Sequence, residues 1–375
     1  MKLPRIFLYA LIIIFPLVLI IFYHNFSCIS ADAFDLNKYI HPAKYWKKFD
    51  NNEVQCLLCP FKCILNEGQR GHCRVRVNIG GKLYSLVYGR VCSKNTDPIE
   101  KKPVFHMLPG TTAYSIATPG CNLRCKFCQN WQISQSSPEE VSAEYLSPED
   151  VVQNAIKLNC KSIAYTYSEP VVFYEYVLDT AKLAKKNGLR NILVTAGFIN
   201  PDPLKELLQY FDVIKVDLKG FNEKFYEEVV DGDLQVVLNT LLTIKKNSNV
   251  IIEIVNLVVP GLNDSFDDVK KMCKWIKENL GSDTPLFFSR FYPNYKLRNL
   301  PETPVLTLEK CRDIALKEGL NYVYIGNVFG HPAESTYCPN CKKVLVQRLG
   351  YSILSNNIVK GKCKFCGKEI PGIWE

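Results

Sequence analysis

From Tyr114 onward the chain alternates short apolar runs with stretches whose apolar residues recur every three or four positions. The runs at 114–118, 162–167, 191–195, 213–218, 250–259, 286–291 and 322–325 read as strands buried on both faces. Between them, helices are predicted at 148–158, 171–187, 203–210, within 233–247, at 267–279 and at 308–318. Ser147-Pro148-Glu149-Asp150 is a helix start, with Ser as N-cap, Pro at the first position and acids in the first turn. Gly188 stops the second helix. Strands and helices alternating at this length argue for right-handed βαβ units and a parallel sheet. Six or seven units suit a partial or full (β/α) barrel, and the expected fold class is α/β with a partial barrel. In such folds the chemistry sits at the C-terminal ends of the strands, and that rule ranks the candidates below.

The flanks differ. Residues 51–110 form a small cysteine-bearing module with turns at Gly68, Gly71, Gly80 and Gly81 and a hairpin strand at 82–87. Residues 331–375 form a second such module, in which 344–348 and 351–355 alternate like a hairpin. Residues 24–50 read as a linker and 111–330 as the core. Residues 6–23 are an almost unbroken apolar run behind Lys2 and Arg5, close to the minimum length of a spanning helix. A membrane anchor is the preferred reading, with a cleaved signal ending near Ala31-Asp32-Ala33 as the alternative.

Composition sharpens this picture in two places. The net charge of +9 is scattered rather than run together, so no nucleic-acid partner is expected. The sixteen cysteines cluster at 56–73, 121–128 and 338–366, which points to metal sites and not to a disulfide framework. Cys28, Cys92, Cys160, Cys273 and Cys311 are isolated and read as small buried hydrophobes. Lys2 and Arg5 favour an outward catalytic domain. Clustered thiols need a reducing compartment, and the catalytic domain is placed in the cytoplasm.

The central motif is Gly120-Cys121-Asn122-Leu123-Arg124-Cys125-Lys126-Phe127-Cys128-Gln129-Asn130-Trp131, directly after the first predicted strand. An iron–sulfur cube takes four thiolates, so Cys121, Cys125 and Cys128 without a near fourth leave one iron open. An open position is what separates a catalytic from a closed structural metal site. Phe127 and Trp131 are placed to shield a cluster from water. The competing reading is a structural zinc site that borrows Cys92 or Cys160. Other polar residues fall at strand ends: Ser168 and Glu169 after the second strand, Thr195 at the third, Asp217 and Lys219 at the fourth, and Asn256 within the fifth. Asp217 and Lys219 serve equally as ligand contacts or as a rim ion pair. Cys338, Cys341, Cys363 and Cys366 form two Cys-x2-Cys knuckles, a zinc-ribbon pattern with rubredoxin-like iron as the alternative. Cys56, Cys59, Cys63 and Cys73 favour a metal as well, but spacing does not separate zinc from an auxiliary iron–sulfur cluster. His72 is a substitute ligand there.

The Cys121 motif resembles the radical S-adenosylmethionine (SAM) superfamily, in its branch related to pyruvate formate-lyase activating enzymes. The resemblance is closest to the radical SAM component of the AmmeMemoRadiSam system. It is carried further by the Cys56–Cys73 motif, by Asp97-Pro98-Ile99-Glu100-Lys101-Lys102-Pro103 and by Tyr165-Thr166-Tyr167-Ser168-Glu169-Pro170, and it covers roughly residues 40–375. It implies a [4Fe–4S] cluster on Cys121, Cys125 and Cys128, with SAM on the open iron. It implies one-electron cleavage to methionine and a 5′-deoxyadenosyl radical that takes hydrogen from an unidentified substrate. In the superfamily Glu169 would end a Gly-Gly-Glu turn and meet the SAM amino group; here Tyr167 and Ser168 replace the glycines. Implied partners are a flavodoxin or ferredoxin donor and Memo-like and AMMECR1-like proteins. A glycyl-radical enzyme activase and a non-catalytic, membrane-tethered zinc-ribbon interaction protein are the alternatives.

Overall fold

Strand order in the main sheet follows chain order. The computed structural model describes residues 36–375, of which 39–375 form one compact unit. Strand β1 (Ser93–Pro98) pairs antiparallel with β2 (Thr112–Ala117). From β2 onward each strand lies parallel to the next: β3 (Ser162–Tyr165), β4 (Arg190–Thr195), β5 (Val213–Asp217), β6 (Ile251–Val258), β7 (Leu286–Arg290) and β8 (Val323–Gly326). The sheet stays open, with β1 and β8 as its two edges. Helices α1 (Pro148–Lys157), α2 (Tyr174–Lys186), α3 (Pro201–Leu208), α4 (Leu234–Asn247), α5 (Phe266–Asn279) and α6 (Val305–Lys317) make the crossovers.

Local sequence explains most of these boundaries. Ser147 caps α1 in a reciprocal capping box with Asp150, and Asp233 and Ser265 cap α4 and α5. The second predicted helix instead begins as a 3₁₀ turn, Pro170–Phe173, with Pro170 at its first position and Glu169 as its cap. Strand β1 escaped the sequence reading. Its residues Ser-Lys-Asn-Thr-Asp-Pro are polar and show no apolar alternation, as suits an exposed edge strand. It belongs to the main sheet, so the Asp97–Pro103 stretch enters the sheet's neighbourhood and not the cysteine module's.

The N-terminal module is a pair of small sheets, with Val54–Cys56 between Trp46–Lys48 and Ile64–Leu65, and Arg76–Ile79 hairpinned to Lys82–Ser85. At the other end, β9 (Val344–Leu349) and β10 (Ser352–Asn356) form the expected hairpin. Arg348 on β9 docks it. Its side chain is fully buried, donates to Thr336 Oγ1 (2.8 Å) and the Phe105 carbonyl (3.0 Å), and lies 3.7 Å from Glu100. Residues 6–23 and Cys28 lie outside the described residues, and among the described residues no helix is long and apolar enough to cross a membrane.

Arg348→Met would keep the volume but leave Glu100 buried beside a neutral side chain. The expected loss is about 3–5 kcal/mol in chemical denaturation, the scale for breaking a buried pair from one side. An unchanged midpoint would show that the hairpin docks by packing alone.

Candidate active site at the strand ends

The C-terminal ends of β2 to β8 surround a chamber of about 490 Å³. The loop after β2 brings Cys121, Cys125 and Cys128 to its wall, and Glu169, Thr195, Asp217 and Lys219 line the same space. The structure therefore brings together the Cys121 triad and the candidates Ser168, Glu169, Thr195, Asp217 and Lys219.

Tertiary ties hold the cysteine loop. Arg124 and Lys126 donate backbone N–H groups to the carbonyls of Val230 and Val229 (3.0 and 2.9 Å), and Asn122 donates to the Phe198 carbonyl (2.8 Å). Gly120 precedes the first cysteine at φ +98°, where a Cβ would lie 2.5 Å from Val75 Cγ1 and 3.0 Å from the Cys73 carbonyl. Both the left-handed backbone and the close approach demand glycine. The Cys128 sulfur meets Ser134 Oγ at 3.1 Å, and Leu123 N–H points at the Cys121 sulfur at 3.3 Å. Burial pushes the Cys125 thiol up to about 12, though the Lys219 charge opposes the shift. Burial, then the nearby Glu169 carboxylate, raises Cys121 well above the ordinary thiol range. Such thiols ionise readily only when a cation replaces the proton.

Glu169 is 3% exposed and held from three sides. It accepts from Thr195 Oγ1 (2.6 Å) and from the backbone N–H groups of Ala196 (2.8 Å) and Val171 (3.2 Å). Burial raises its carboxyl, against the pull of these donors. Tyr167, where the superfamily turn has glycine, adopts φ +65° despite its side chain. A non-glycine residue in this region stores strain that surrounding contacts must balance. Tyr167 hydroxyl donates to Asp97, accepts from Asn95 (3.1 Å), and its ring stacks 4.4 Å from Lys102 Nζ. Ser168 also lines the chamber and donates to the Thr118 carbonyl (2.7 Å), tying two strand ends together.

Charge in the chamber is shared unequally. Asp217 pairs with both Lys215 and Lys219, and Asp97 with both Lys101 and Lys102. Burial opposes the Lys219 charge, but Asp217, with Cys125 and Tyr226 beyond it, holds the ammonium above its ordinary range. Burial brings Lys102 down to about 8, with Asp97 resisting. Lys215, Asp97, Lys101, Lys102 and Tyr167 were not singled out as site residues from sequence. The signal was present in the Asp97–Pro103 stretch, but no periodicity placed it at the chamber.

Other residues singled out from sequence sit elsewhere. Asn256 does not line the chamber: Val255 and Leu257 on either side do, and strand alternation turns Asn256 to the other face. There its amide donates to the Leu218 carbonyl (2.8 Å), so it positions the Asp217–Lys219 step. Trp131 stacks on Tyr295 at 5.3 Å and does not line the chamber, whereas buried Phe127 does. Cys160, Cys273 and Cys311 are buried as expected, while Cys92 is half-buried.

The C-terminal quartet is already drawn together. The Cys338, Cys341, Cys363 and Cys366 sulfurs all lie within 4.8 Å of one another, with pairs at 3.6 and 3.7 Å. A tetrahedral ion with metal–sulfur bonds of about 2.3 Å spaces its sulfurs by about 3.8 Å, so the four fit one ion. Among the described residues no other group of three His, Cys, Asp or Glu ligand atoms is so tightly placed. The Cys121, Cys125 and Cys128 sulfurs do not form such a group.

Residues 115–276 match the family described as the Radical SAM superfamily. The chain belongs to the radical SAM superfamily. A protein of Methanocaldococcus jannaschii without an assigned activity is 46% identical over 330 residues, covering 88% of this chain and 98% of that relative. The pyruvate formate-lyase 1-activating enzyme of Escherichia coli is 28% identical over 165 residues, covering 42% of this chain and 66% of the enzyme. Among solved structures, a domain of a pyruvate-formate lyase-activating enzyme from Bacteroides vulgatus matches with TM-score 0.40 at 14% identity, over 44% of this chain and 99% of that one. Membership in this superfamily implies a [4Fe–4S] cluster and SAM, and the thiol triad, the buried carboxylate and the paired lysines in one chamber fit both.

Cys341→Ala should remove one of four converging sulfurs and lower both metal content and thermal stability. Melting and metal analysis that match the parent would remove the C-terminal metal site.

Proposed function

We propose that the chain is a radical SAM oxidoreductase, similar to pyruvate formate-lyase activating enzymes, that takes hydrogen from a substrate admitted to the strand-end chamber. The observation that carries this reading is the convergence of three thiols and a fully anchored carboxylate, Glu169, on one chamber. Cys121, Cys125 and Cys128 would hold the [4Fe–4S] cluster, whose open iron binds SAM. When reduced, the bound cofactors supply one electron to the sulfonium and yield methionine and a 5′-deoxyadenosyl radical.

The protein's own part is binding, orientation and exclusion of water. Glu169, immobilised by Thr195 and Ala196, presents one carboxylate in a fixed direction, suited to a SAM ammonium. Lys219 keeps its proton through Asp217, so it offers a permanent cation to a carboxylate. Phe127, Leu257 and Phe287 give the chamber apolar walls that protect a radical from solvent. The C-terminal module also lines it, through Gly350 and Tyr351. Zinc is the metal we assign to the Cys338–Cys366 quartet, in a closed structural shell.

The finer placement follows the sequence resemblance. The AmmeMemoRadiSam assignment carries with it Memo-like and AMMECR1-like partners and a flavodoxin or ferredoxin donor. Residues 6–23 would anchor the chain, with the thiol-rich domain in the reducing cytoplasm. A second reading, activation of a glycyl-radical enzyme, is favoured by the similarity to the Escherichia coli activating enzyme. It predicts a persistent glycyl EPR signal on a partner protein.

Anaerobic protein reduced with dithionite should convert SAM to 5′-deoxyadenosine. Cys125→Ala should abolish that product while leaving the circular dichroism of the sheet intact; full turnover by this variant would sink the assignment. Glu169→Gln should retain its iron yet bind SAM at least about tenfold more weakly, the scale of one lost charge-assisted hydrogen bond. Equal SAM affinity in titration would take Glu169 out of the SAM site.

A further inference from the structure

Outside the chamber, the largest unexplained group of reactive side chains is the quartet Cys56, Cys59, Cys63 and Cys73. The four thiols line one cavity, together with Gly71, Arg76 and Asn122. Sulfur spacing differs between the two cysteine quartets. The C-terminal quartet is as tight as a single ion demands, whereas among the described residues no three ligand atoms of this module come within 4.8 Å. Like the Cys121, Cys125 and Cys128 sulfurs, its thiols are not gathered to the spacing of one ion.

Three further features describe what the cavity accepts. Gly71 has no left-handed φ, so its backbone does not call for glycine. A Cβ there would project between the thiols, 3.6 Å from the Cys63 sulfur and 3.8 Å from that of Cys73. Space is therefore what this position keeps. His72 N–H donates to the Cys63 sulfur at 3.4 Å, a contact of the kind that sulfur ligands of a cluster accept. Arg76 is 1% exposed and lines the cavity; one nitrogen pairs with Glu175, but Nε and Nη1 have no partner. A buried guanidinium with free donors fits an anionic group beside it, as a thiolate-bound cluster is.

The cavity also shares a wall with the catalytic loop. Asn122, next to Cys121, lines it. Arg124 donates from one guanidinium nitrogen to the His72 carbonyl and from the other to the Cys121 carbonyl (2.9 Å). Cys59 and Cys63 are only half-buried, on the side of exposed Lys62 and Ile64.

We propose that the N-terminal module holds a second iron–sulfur cube on Cys56, Cys59, Cys63 and Cys73, and that this cube relays electrons across the Arg124–Asn122 wall to the catalytic cluster. The relay rests on the radical SAM reading; the second cube does not. A one-electron donor of the flavodoxin or ferredoxin class is oxidised by one electron at the exposed side. Cys56, Cys59, Cys63 and Cys73 would hold the cube that takes up this electron, and the Arg124–Asn122 wall would pass it to the cluster that Cys121, Cys125 and Cys128 would hold, so that one electron leaves the donor for each SAM cleaved.

The test uses the full chain, reconstituted without oxygen with iron and sulfide. The parent should hold about eight irons, and the C121A/C125A/C128A variant about four with a reduced-cluster EPR signal, because only the second cube remains. Zinc, or no metal, in that variant overturns the second cube. Gly71→Ala, whose Cβ meets only ordinary contacts, should fold normally and lose the second set of irons; retention of all iron counts against the cavity as the cluster's seat. C59A/C63A should still form 5′-deoxyadenosine with dithionite, but its rate with reduced flavodoxin should fall at least about tenfold. An unchanged flavodoxin rate overturns the relay, and Gly71→Ala supplies the same comparison if the double variant does not fold. Failure of the parent to cleave SAM with dithionite would count against the radical SAM reading alone, since iron in the triple variant does not depend on it.

Discussion

Parallel register governs this molecule. Tyr165 lies level with Ile116 and Leu193, Thr195 with Val216, Asp217 with Val255, and Leu257 with Ser289. Every strand from β2 to β8 therefore ends on the same side, and every loop that follows a strand opens onto one chamber. A slip of one residue would turn the lining residues outward, as Asn256 already is between Val255 and Leu257. Because the sheet is open, its inner space must be closed by other parts of the chain. The hairpin carrying Arg348 and the segment at Phe105 and His106 do so, the latter through backbone N–H groups held by the buried Glu253 carboxylate at 3.0–3.1 Å.

Burial of charge is the second constraint. Two carboxylates, Asp97 and Asp217, are each divided between two lysines, so the chamber carries more cation than anion in those groups. That surplus suits a site expected to hold thiolates, an anionic cluster and a carboxylate-bearing cofactor. Glu169 is the exception, an acid without a lysine in contact, and it is held by a hydroxyl and two backbone donors instead. Its ionised form thus depends on hydrogen bonds whose geometry the end of β4 sets.

The three cysteine groups illustrate how one side chain serves different tasks through spacing in three dimensions. The C-terminal sulfurs converge to the separation of a single ion, and the knuckles that do this are local turns. Cys121, Cys125 and Cys128 do not converge in this way, and they sit on a loop held between the sheet and the N-terminal module. Packing of Gly120 against Cys73 and Val75 makes that module part of the catalytic loop's support.

Sequence by itself determined the alternation of strands and helices, the α/β class and the four- and three-residue steps of the Cys121 motif, because these rest on local periodicity and spacing. It also marked the strand ends where Glu169, Thr195, Asp217 and Lys219 meet, since strand ends follow from strand positions. Tertiary structure alone decided the rest. Only pairing with β2 reveals β1, a polar edge strand with no hydrophobic pattern, and only β1 carries Asp97, Lys101 and Lys102 to Tyr167. Only strand facing separates Asn256 from its neighbours. Likewise the distances that distinguish a single-ion site from a group not so gathered are set by contacts between segments far apart in the chain, and a one-dimensional spacing does not contain them.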